Sequence, residues 1–322
     1  GQFLSGRILR GAAAFFGRPR SGVPLADAPA GSAGRRSVSV SPREAAQVVV
    51  LVGFGPDSWL RSGRASAWLL GVDRVSGVAA ARASPALRRF ELRSLRVPIG
   101  NGVVALVVPD AAAWRRRGEW VEGLRRGGEP PYWSRVWRSS VALARLLHVW
   151  PGLEGVRICE LGCGLGLPGI VAARGGAVVT LVDRDADALA FACWNAVSLG
   201  GRAVACVQGE WGDLALEPPF DVMLLADVSY RAAHQTALNR QVDASLGEHG
   251  VVLHADPYRE ESTAFLRRLA ERLRLACTER KVALAGDHGM VRLCVAARSD
   301  AALRRHLGGL PANYVWTNGV TG

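Results

Sequence analysis

A doubly wound α/β fold is predicted downstream of about residue 90 by three observations. Short apolar runs alternate with segments of helical spacing, three spaced glycines follow one such run, and an acid closes the next. The length permits such a fold. A chain of 322 residues with 49% apolar content buries enough surface for one large domain with extensions.

The elements can be justified in order. Residues 1 to 43 contain Asp27 as their only acid and show no periodic apolar face, as in "GRPRSGVPLADAPAGSAGRRSVSVSPR". That composition predicts a basic disordered arm, and an acid-poor, Arg- and Ser-rich start also suits an organellar transit peptide. The chain opens on Gly without Met, so a fragment or a processed form is also compatible. Residues 44 to 87 hold short apolar stretches of no assignable element, and 1–87 is grouped as one arm or transit-like region. The domain is placed at 88–298, with 299–322 as a C-terminal tail.

"FELRSLRVPIGNGVVALVVPD" reads as two β-prone runs around an Asn-Gly turn at 101 and 102, a hairpin signal. "GEPPYW" follows from residue 128, and its Pro-Pro stiffens the approach to a helix. In that helix Val136, Trp137, Val141, Ala144 and Leu147 share one face. Next come "VRICEL" as a strand, "GCGLGLPG" as a turn, "IVAARG" as a helix, "AVVTLVD" as a strand and "ADALAFACWNAVSLG" as a helix. "AVACVQ" and "FDVMLLAD" are strands, "QTALNRQVDASLG" a helix, "VVLHAD" a strand and "STAFLRRLAERLRL" a helix. The last runs, "KVALAG" and "MVRLCVAAR", are separated by "DHG" alone, which predicts an antiparallel hairpin at the sheet edge.

Composition narrows the function classes. No apolar run approaches the roughly 18 residues of a spanning helix, so no membrane anchor is expected. The net charge of +12 invites a nucleic-acid reading. Yet residues 1–127 carry 20 Arg against 8 acids, whereas 128–322 carry 19 Arg and Lys281 against 20 acids. The excess therefore sits in the first 127 residues, and no basic face is implied on the part of the domain downstream of them. Nucleic acid is not an expected partner, and a monomer is expected. Six cysteines (Cys159, Cys163, Cys193, Cys206, Cys277, Cys294) form no C-x-x-C pair and have mostly apolar neighbours. They read as free thiols of a reducing, intracellular compartment. Scattered histidines suggest no metal site.

The glycine turn admits two cofactors. "ICELGCGLGLPG" sets Glu160 before Gly162, Gly164 and Gly166, an E-x-G-x-G-x-G pattern suited to S-adenosylmethionine (SAM); "GLGLPG" also satisfies the G-x-G-x-x-G of dinucleotide sites. Asp183 at the end of the next strand would accept ribose hydroxyls from either. Glu160 favours SAM, because a pyrophosphate over the turn would be repelled by an adjacent carboxylate, whereas SAM carries no phosphate.

With these motifs in hand, the chain resembles the seven-strand lysine methyltransferases of the methyltransferase-16 type. Their bacterial relatives, nicotinamide N-methyltransferase-like and electron-transfer-flavoprotein lysine methyltransferases, share the likeness. It runs from about 90 to 297 on "PPYWSRVWRSSVALARLL", "ICELGCGLGLPGIVAARGGAVVTLVDRD", "GEWGDL", "FDVMLLADVSY" and "HADPYRE". The resemblance implies a class I, Rossmann-like seven-stranded SAM-dependent enzyme that methylates a lysine side chain of a protein substrate. It also implies that Trp137 borders the SAM pocket and that Gly162, Gly164 and Gly166 form the methionine-facing loop; Cys163 within that turn and Glu160, which would help hold the polar methionine end, are further cofactor-binding candidates. By the same resemblance Asp183 holds the ribose, Trp211 lies near the adenine, and Ala226 ends a strand against the cofactor. Asp227 and Tyr230 of "DVSY" match the D-x-x-Y hallmark on the acceptor side; Ser229 departs from the apolar residue usual there. A small-molecule amine methyltransferase, a non-catalytic SAM-binding module and an RNA methyltransferase using the basic arm are the alternatives. For Asp227 alone, a helix N-cap is the simpler reading.

Overall fold

The computed structural model describes residues 49–52, 77–116, 129–199, 204–212, 214–217 and 219–319. The expected basic arm therefore lies largely outside the described residues. The two parts of 1–87 that are described both carry structure: strand β1 (Val49–Val52) and helix α1 (Val78–Ala83).

The hairpin is β2 (Leu92–Ile99) and β3 (Gly102–Pro109), a sheet of its own. Ile99 pairs with Gly102, so the two-residue loop is Gly100–Asn101, one residue earlier than the expected Asn-Gly turn. Gly100 takes the positive φ of 56° there, a conformation that glycine adopts freely. Helix α2 (Ala111–Arg116) follows, and a 3-10 turn at Tyr132–Ser134 leads to helix α3 (Arg138–His148).

From here strands and helices alternate as expected: β4 (Arg157–Leu161), α4 (Leu167–Arg174), β5 (Val178–Asp183), α5 (Ala186–Ser198), β6 (Val204–Gln208) and β7 (Phe220–Ala226). Then come α6 (Ala232–Ser245), β8 (Leu246–Asp256), α7 (Glu260–Ala270), β9 (Arg274–Leu284) and β10 (Asp287–Ala297). The residues after 298 are no bare tail. They form α8 (Asp300–Leu307), capped by Ser299 and buried through Ala302 and Leu303, and a short strand β11 (Thr317–Asn318).

The nine-stranded sheet runs β1-β6-β5-β4-β7-β8-β10-β9-β11. Strands β4 to β8 are parallel, β10 is inserted antiparallel between β8 and β9, and β1 and β11 extend the two edges antiparallel. The seven inner strands are those expected; the two outer ones enlarge the sheet. Lys281, the only lysine of the 322 residues, is exposed on β9 opposite Met290.

Alternation along each strand feeds two cores. Ile158, Val179, Leu181, Val222 and Leu224 point to the face covered by α3, α4 and α5, whereas Cys159, Leu161, Val182, Met223 and Leu225 point to the face covered by α6 and α7. The hairpin is pinned to α5 by buried Asn195, whose side chain accepts from Val107 N (2.8 Å) and donates to Val107 O (3.0 Å). An unpaired amide there would cost about 1–3 kcal/mol, so this pair fixes the hairpin's position.

The cysteines correct the expectation of six free thiols. Cys193 is bonded to Cys206 and Cys277 to Cys294; only Cys159 and Cys163 are free, both buried. Cys277 and Cys294 face each other in the β9–β10 register, and Cys193 lies on the helix after β5 with its partner on β6. Such neighbours across elements leave no mark in sequence spacing. The cysteines consequently give no argument for a reducing compartment. Among the described residues no helix is long and apolar enough to cross a membrane.

Candidate active site

Strand order reverses between β4 and β7, which leaves a crevice beyond their C-terminal ends. A cavity of about 570 Å³ opens there, within the range of small-molecule sites. Each strand end contributes a short segment to it: Gly162–Leu167 after β4, Asp183–Asp185 at β5, Gly209–Trp211 after β6, and Ala226–Val228 with Tyr230 after β7. Residues 129–133 and Trp137 cover it from the side of α3.

The glycine turn is left-handed at all three positions, with φ of 66°, 52° and 74° at Gly162, Gly164 and Gly166. Space matters as much as φ. A Cβ at Gly162 would stand 2.7 Å from Val228 Cγ1 and 3.1 Å from Trp211 Cζ2, and one at Gly164 would stand 3.2 Å from the Trp133 carbonyl. The turn is therefore packed between the loops that follow β6 and β7 on one side and the covering segment on the other. Cys163 donates its backbone N–H to Val182 O (2.9 Å); burial pushes its thiol well up, which makes it a packing residue rather than a nucleophile.

Asp183 lines the cavity and is tied down by the backbone: Oδ2 accepts from Gly164 N (2.9 Å) and Oδ1 from Asp185 N (3.0 Å). Burial raises its pKa to about 6 against the pull of those two N–H groups. Each oxygen keeps a second lone pair for a diol.

Glu160 is not where the sequence puts it. Its side chain is 1% exposed and does not line the cavity; Oε2 accepts from Gly169 N (2.8 Å) in the first turn of α4. Burial raises its pKa to about 8, and Oε1 has no hydrogen-bond partner among the described residues. Glu160 anchors the helix from behind. Being largely protonated at neutral pH, it supplies little of the repulsion that would have excluded a pyrophosphate.

Trp137 precedes α3 and donates Nε1–H to Tyr132 O (3.0 Å), which holds the covering segment against its own helix. Trp133 meets Phe90, Trp114 and Phe191, so the same segment is also fixed by an aromatic cluster. Glu129 closes it, pairing with Arg184 (2.7 Å) after β5 and with Arg231 after Tyr230. Trp211 packs edge-on against His234 at 6.2 Å.

Beyond the end of β7, Asp227 is not a helix cap. Helix α6 starts after Arg231, and Asp227 has φ of 55°, donates its N–H to Ala255 O (2.8 Å), and directs its carboxylate to Arg259. The pair is two-pronged: Nε to Oδ1 at 2.9 Å and Nη2 to Oδ2 at 3.3 Å. Tyr230 sits edge-on to Tyr132 at 5.9 Å, with the guanidiniums of Arg231 and Arg259 at 5.7 and 5.9 Å from its ring centre. Burial raises its pKa, so the phenol is neutral at ordinary pH.

Ser229, the departure from the family pattern, is fully buried. Its hydroxyl joins His254 Nε2 (2.8 Å) and Ser262 Oγ (2.9 Å) beneath the site, which explains why a polar residue is tolerated there. Burial holds the His254 pKa down to about 4, so that ring is neutral.

The structure thus gathers Trp137, Gly162, Cys163, Gly164, Gly166, Asp183, Trp211, Ala226, Asp227 and Tyr230 around one cavity and leaves Glu160 outside. Sequence reasoning missed Glu129, Arg184, Arg231 and Arg259. Arg259 lies within the quoted "HADPYRE", but nothing in its spacing from Asp227 announces a partner 32 residues away.

Residues 153–301 match a protein family described as "Methyltransferase domain". That stretch is similar to a methyltransferase domain. Its relatives include Protein N-lysine methyltransferase METTL21A of Danio rerio, 36% identical over 42% of this chain and 66% of that protein. Another is the Electron transfer flavoprotein beta subunit lysine methyltransferase of Xenopus laevis, 31% identical over 48% of this chain and 62% of that protein. The Histone-arginine methyltransferase METTL23 of Rattus norvegicus is 33% identical over 31% of this chain and 47% of that protein. The chain spans less than two thirds of the length of each. Among the described residues, no group of His, Cys, Asp or Glu is arranged to hold a metal.

Proposed function

We propose that the protein transfers a methyl group from SAM to a lysine side-chain amine of a protein substrate. The observation that carries this reading is that the glycine turn, Asp183 and the Asp227–Tyr230 pair open into the same cavity, while two of the relatives named above are lysine methyltransferases. The residues fit SAM: a buried carboxylate at the ribose position, glycines where the chain must turn closely, and indoles of Trp137 and Trp211 along the wall.

SAM would supply an electrophilic methyl on a sulfonium that departs as a neutral thioether once the amine lone pair has taken the methyl. The chain supplies alignment and dryness. Asp183 accepts from the ribose hydroxyls, the turn at Gly162–Gly166 presents backbone to the methionine portion, and the covering segment with Trp137 and Glu129 excludes water. Asp227 accepts a hydrogen bond from the incoming amine and fixes its lone pair, with Tyr230 packed along the lysine stem. The amine reaches the site as ammonium, at an ordinary pKa of about 10.4, and gives its proton to solvent before transfer.

The test is a labelled-methyl transfer assay on cell extract followed by mass spectrometry, with Asp227→Ala as control. Label is expected on protein lysine and lost in the variant. Label on arginine, on RNA, or on no protein sinks the reading.

A further inference from the structure

Arg259 is a residue that neither the motif nor the cavity outline singles out. It does not line the cavity, yet it grips the Asp227 carboxylate from behind with both prongs of its guanidinium. A two-pronged pair uses one lone pair on each oxygen and leaves the second free. Asp227 thereby keeps its acceptor capacity toward the cavity while its charge is balanced from outside.

The corner is fixed by more than this contact. Asp227, which follows β7 directly, and Tyr258, two residues beyond β8, both hold a positive φ, 55° and 63°. Such conformations cost about 1–3 kcal/mol each in non-glycine residues and persist where surroundings impose them. Those surroundings are visible. Asp256, fully buried, is held by Arg292 (Nε to Oδ2 and Nη2 to Oδ1, both 3.0 Å) and accepts from Arg259 N (3.2 Å), while the Arg292 guanidinium lies 4.9 Å from the Tyr258 ring centre. The Tyr258 hydroxyl donates to Glu279. That network, in which Arg292 also donates to Thr263 Oγ1 (2.9 Å), ties β8, β10 and α7 together and delivers the backbone of Arg259 to its place.

The chemistry gives the arrangement a purpose. A bare carboxylate beside an acceptor amine stabilises the ammonium, the form that cannot attack. Neutralised by a guanidinium, the same carboxylate orients the amine without holding its proton. We infer that Arg259 is a positioning residue that balances the charge of Asp227 and so keeps the bound acceptor amine in its neutral, nucleophilic form. This rests on the lysine-methyltransferase reading above.

Other charged groups at the corner are accounted for. Glu129 is paired with Arg184 and Arg231, Asp256 with Arg292, and His254 is neutral above about pH 4. Glu260 and Glu261 open α7 directly after Arg259, Tyr230 is a neutral phenol, and Asp183 and His234 lie on the cavity wall.

The experiment is the pH profile of single-turnover methyl transfer at saturating SAM, using whichever protein the enzyme labels. In Arg259→Gln the acidic limb is expected to move up by about one pH unit, roughly tenfold slower transfer at neutral pH. Arg259→Lys restores most of the shift. Asp227→Asn, which leaves Arg259 unbalanced, moves the limb the opposite way, and the double variant Asp227→Asn with Arg259→Gln returns it toward wild type. The series is repeated with His234→Gln to remove that imidazole from the profile. An Arg259→Gln limb that coincides with wild type overturns the inference while lysine labelling leaves the parent reading intact. Should Arg259→Gln not fold, an unmoved limb in Asp227→Asn overturns it equally. Label on arginine overturns both, since a guanidinium loses no proton in that range.

Discussion

Along the rim set by β4 and β5 the cavity wall is backbone: three left-handed glycines, the amides of Gly164 and Asp185, and a carboxylate bound to both. Along the rim set by β7 and β8 it is side-chain charge, with Asp227 held by Arg259, and Glu129 held by Arg184 and Arg231. A backbone wall tolerates no added atom and responds to pH through its Asp183 carboxyl. A wall of paired charges tolerates isosteric change but responds to every charge removed. The cofactor side should therefore fail through sterics and the acceptor side through electrostatics.

The largest effect is expected at Asp227→Ala. Transfer falls about a thousandfold, as for loss of an orienting group at the reacting atom, while SAM affinity measured by calorimetry stays within about threefold. Equal loss of both would erase the division between the two rims. Gly162→Ala comes next and acts on both. The new Cβ enters the space of Val228 and Trp211 at a φ of 66°, so SAM affinity drops about 10- to 100-fold and Tm falls with it. Asp183→Asn weakens SAM binding about tenfold and leaves transfer at saturating SAM near wild type. In the unaltered protein, SAM affinity declines as pH falls through about 6, because the carboxyl then takes up the proton that binding must expel. A titration flat from pH 5 to 8 contradicts this.

The smallest effect separates Glu160 from the site. Its folded pKa of about 8 lies above its ordinary 4.5, so its contribution to stability is present in acid and is lost as pH rises through about 8. Glu160→Gln keeps an acceptor for Gly169 N and removes that loss. Thermal melts should show no difference near pH 4 and a gain of about 3–6 °C by pH 9, with SAM affinity unchanged. A loss of SAM affinity would return Glu160 to the cofactor side.

What could be read from the chain follows from distance along it. The alternation of β4 to β10, the hairpin and the glycine turn rest on local periodicity and turn residues, and these appear in the expected order, although β9 begins at Arg274 rather than Lys281 and turns into β10 at Ala285–Gly286 rather than at 287–289. The expected seven strands gained β1 and β11 because edge pairing depends on partners more than 100 residues away for β1 and 40 or more for β11. The one-residue error at Gly100–Asn101 came from choosing the commoner Asn-Gly turn over a glycine that takes the positive φ itself. The cysteine pairs, the inward turn of Glu160 and the Asp227–Arg259 pair are long-range side-chain choices that composition and spacing do not encode.

The exposed Lys281 on β9 has a practical consequence. Charge elsewhere in these 322 residues is carried by arginine, so the chain offers a single lysine amine to an enzyme of its own kind. Any self-labelling at lysine has one address, and a Lys281→Arg protein would be a silent reagent whose every lysine label reports on another molecule.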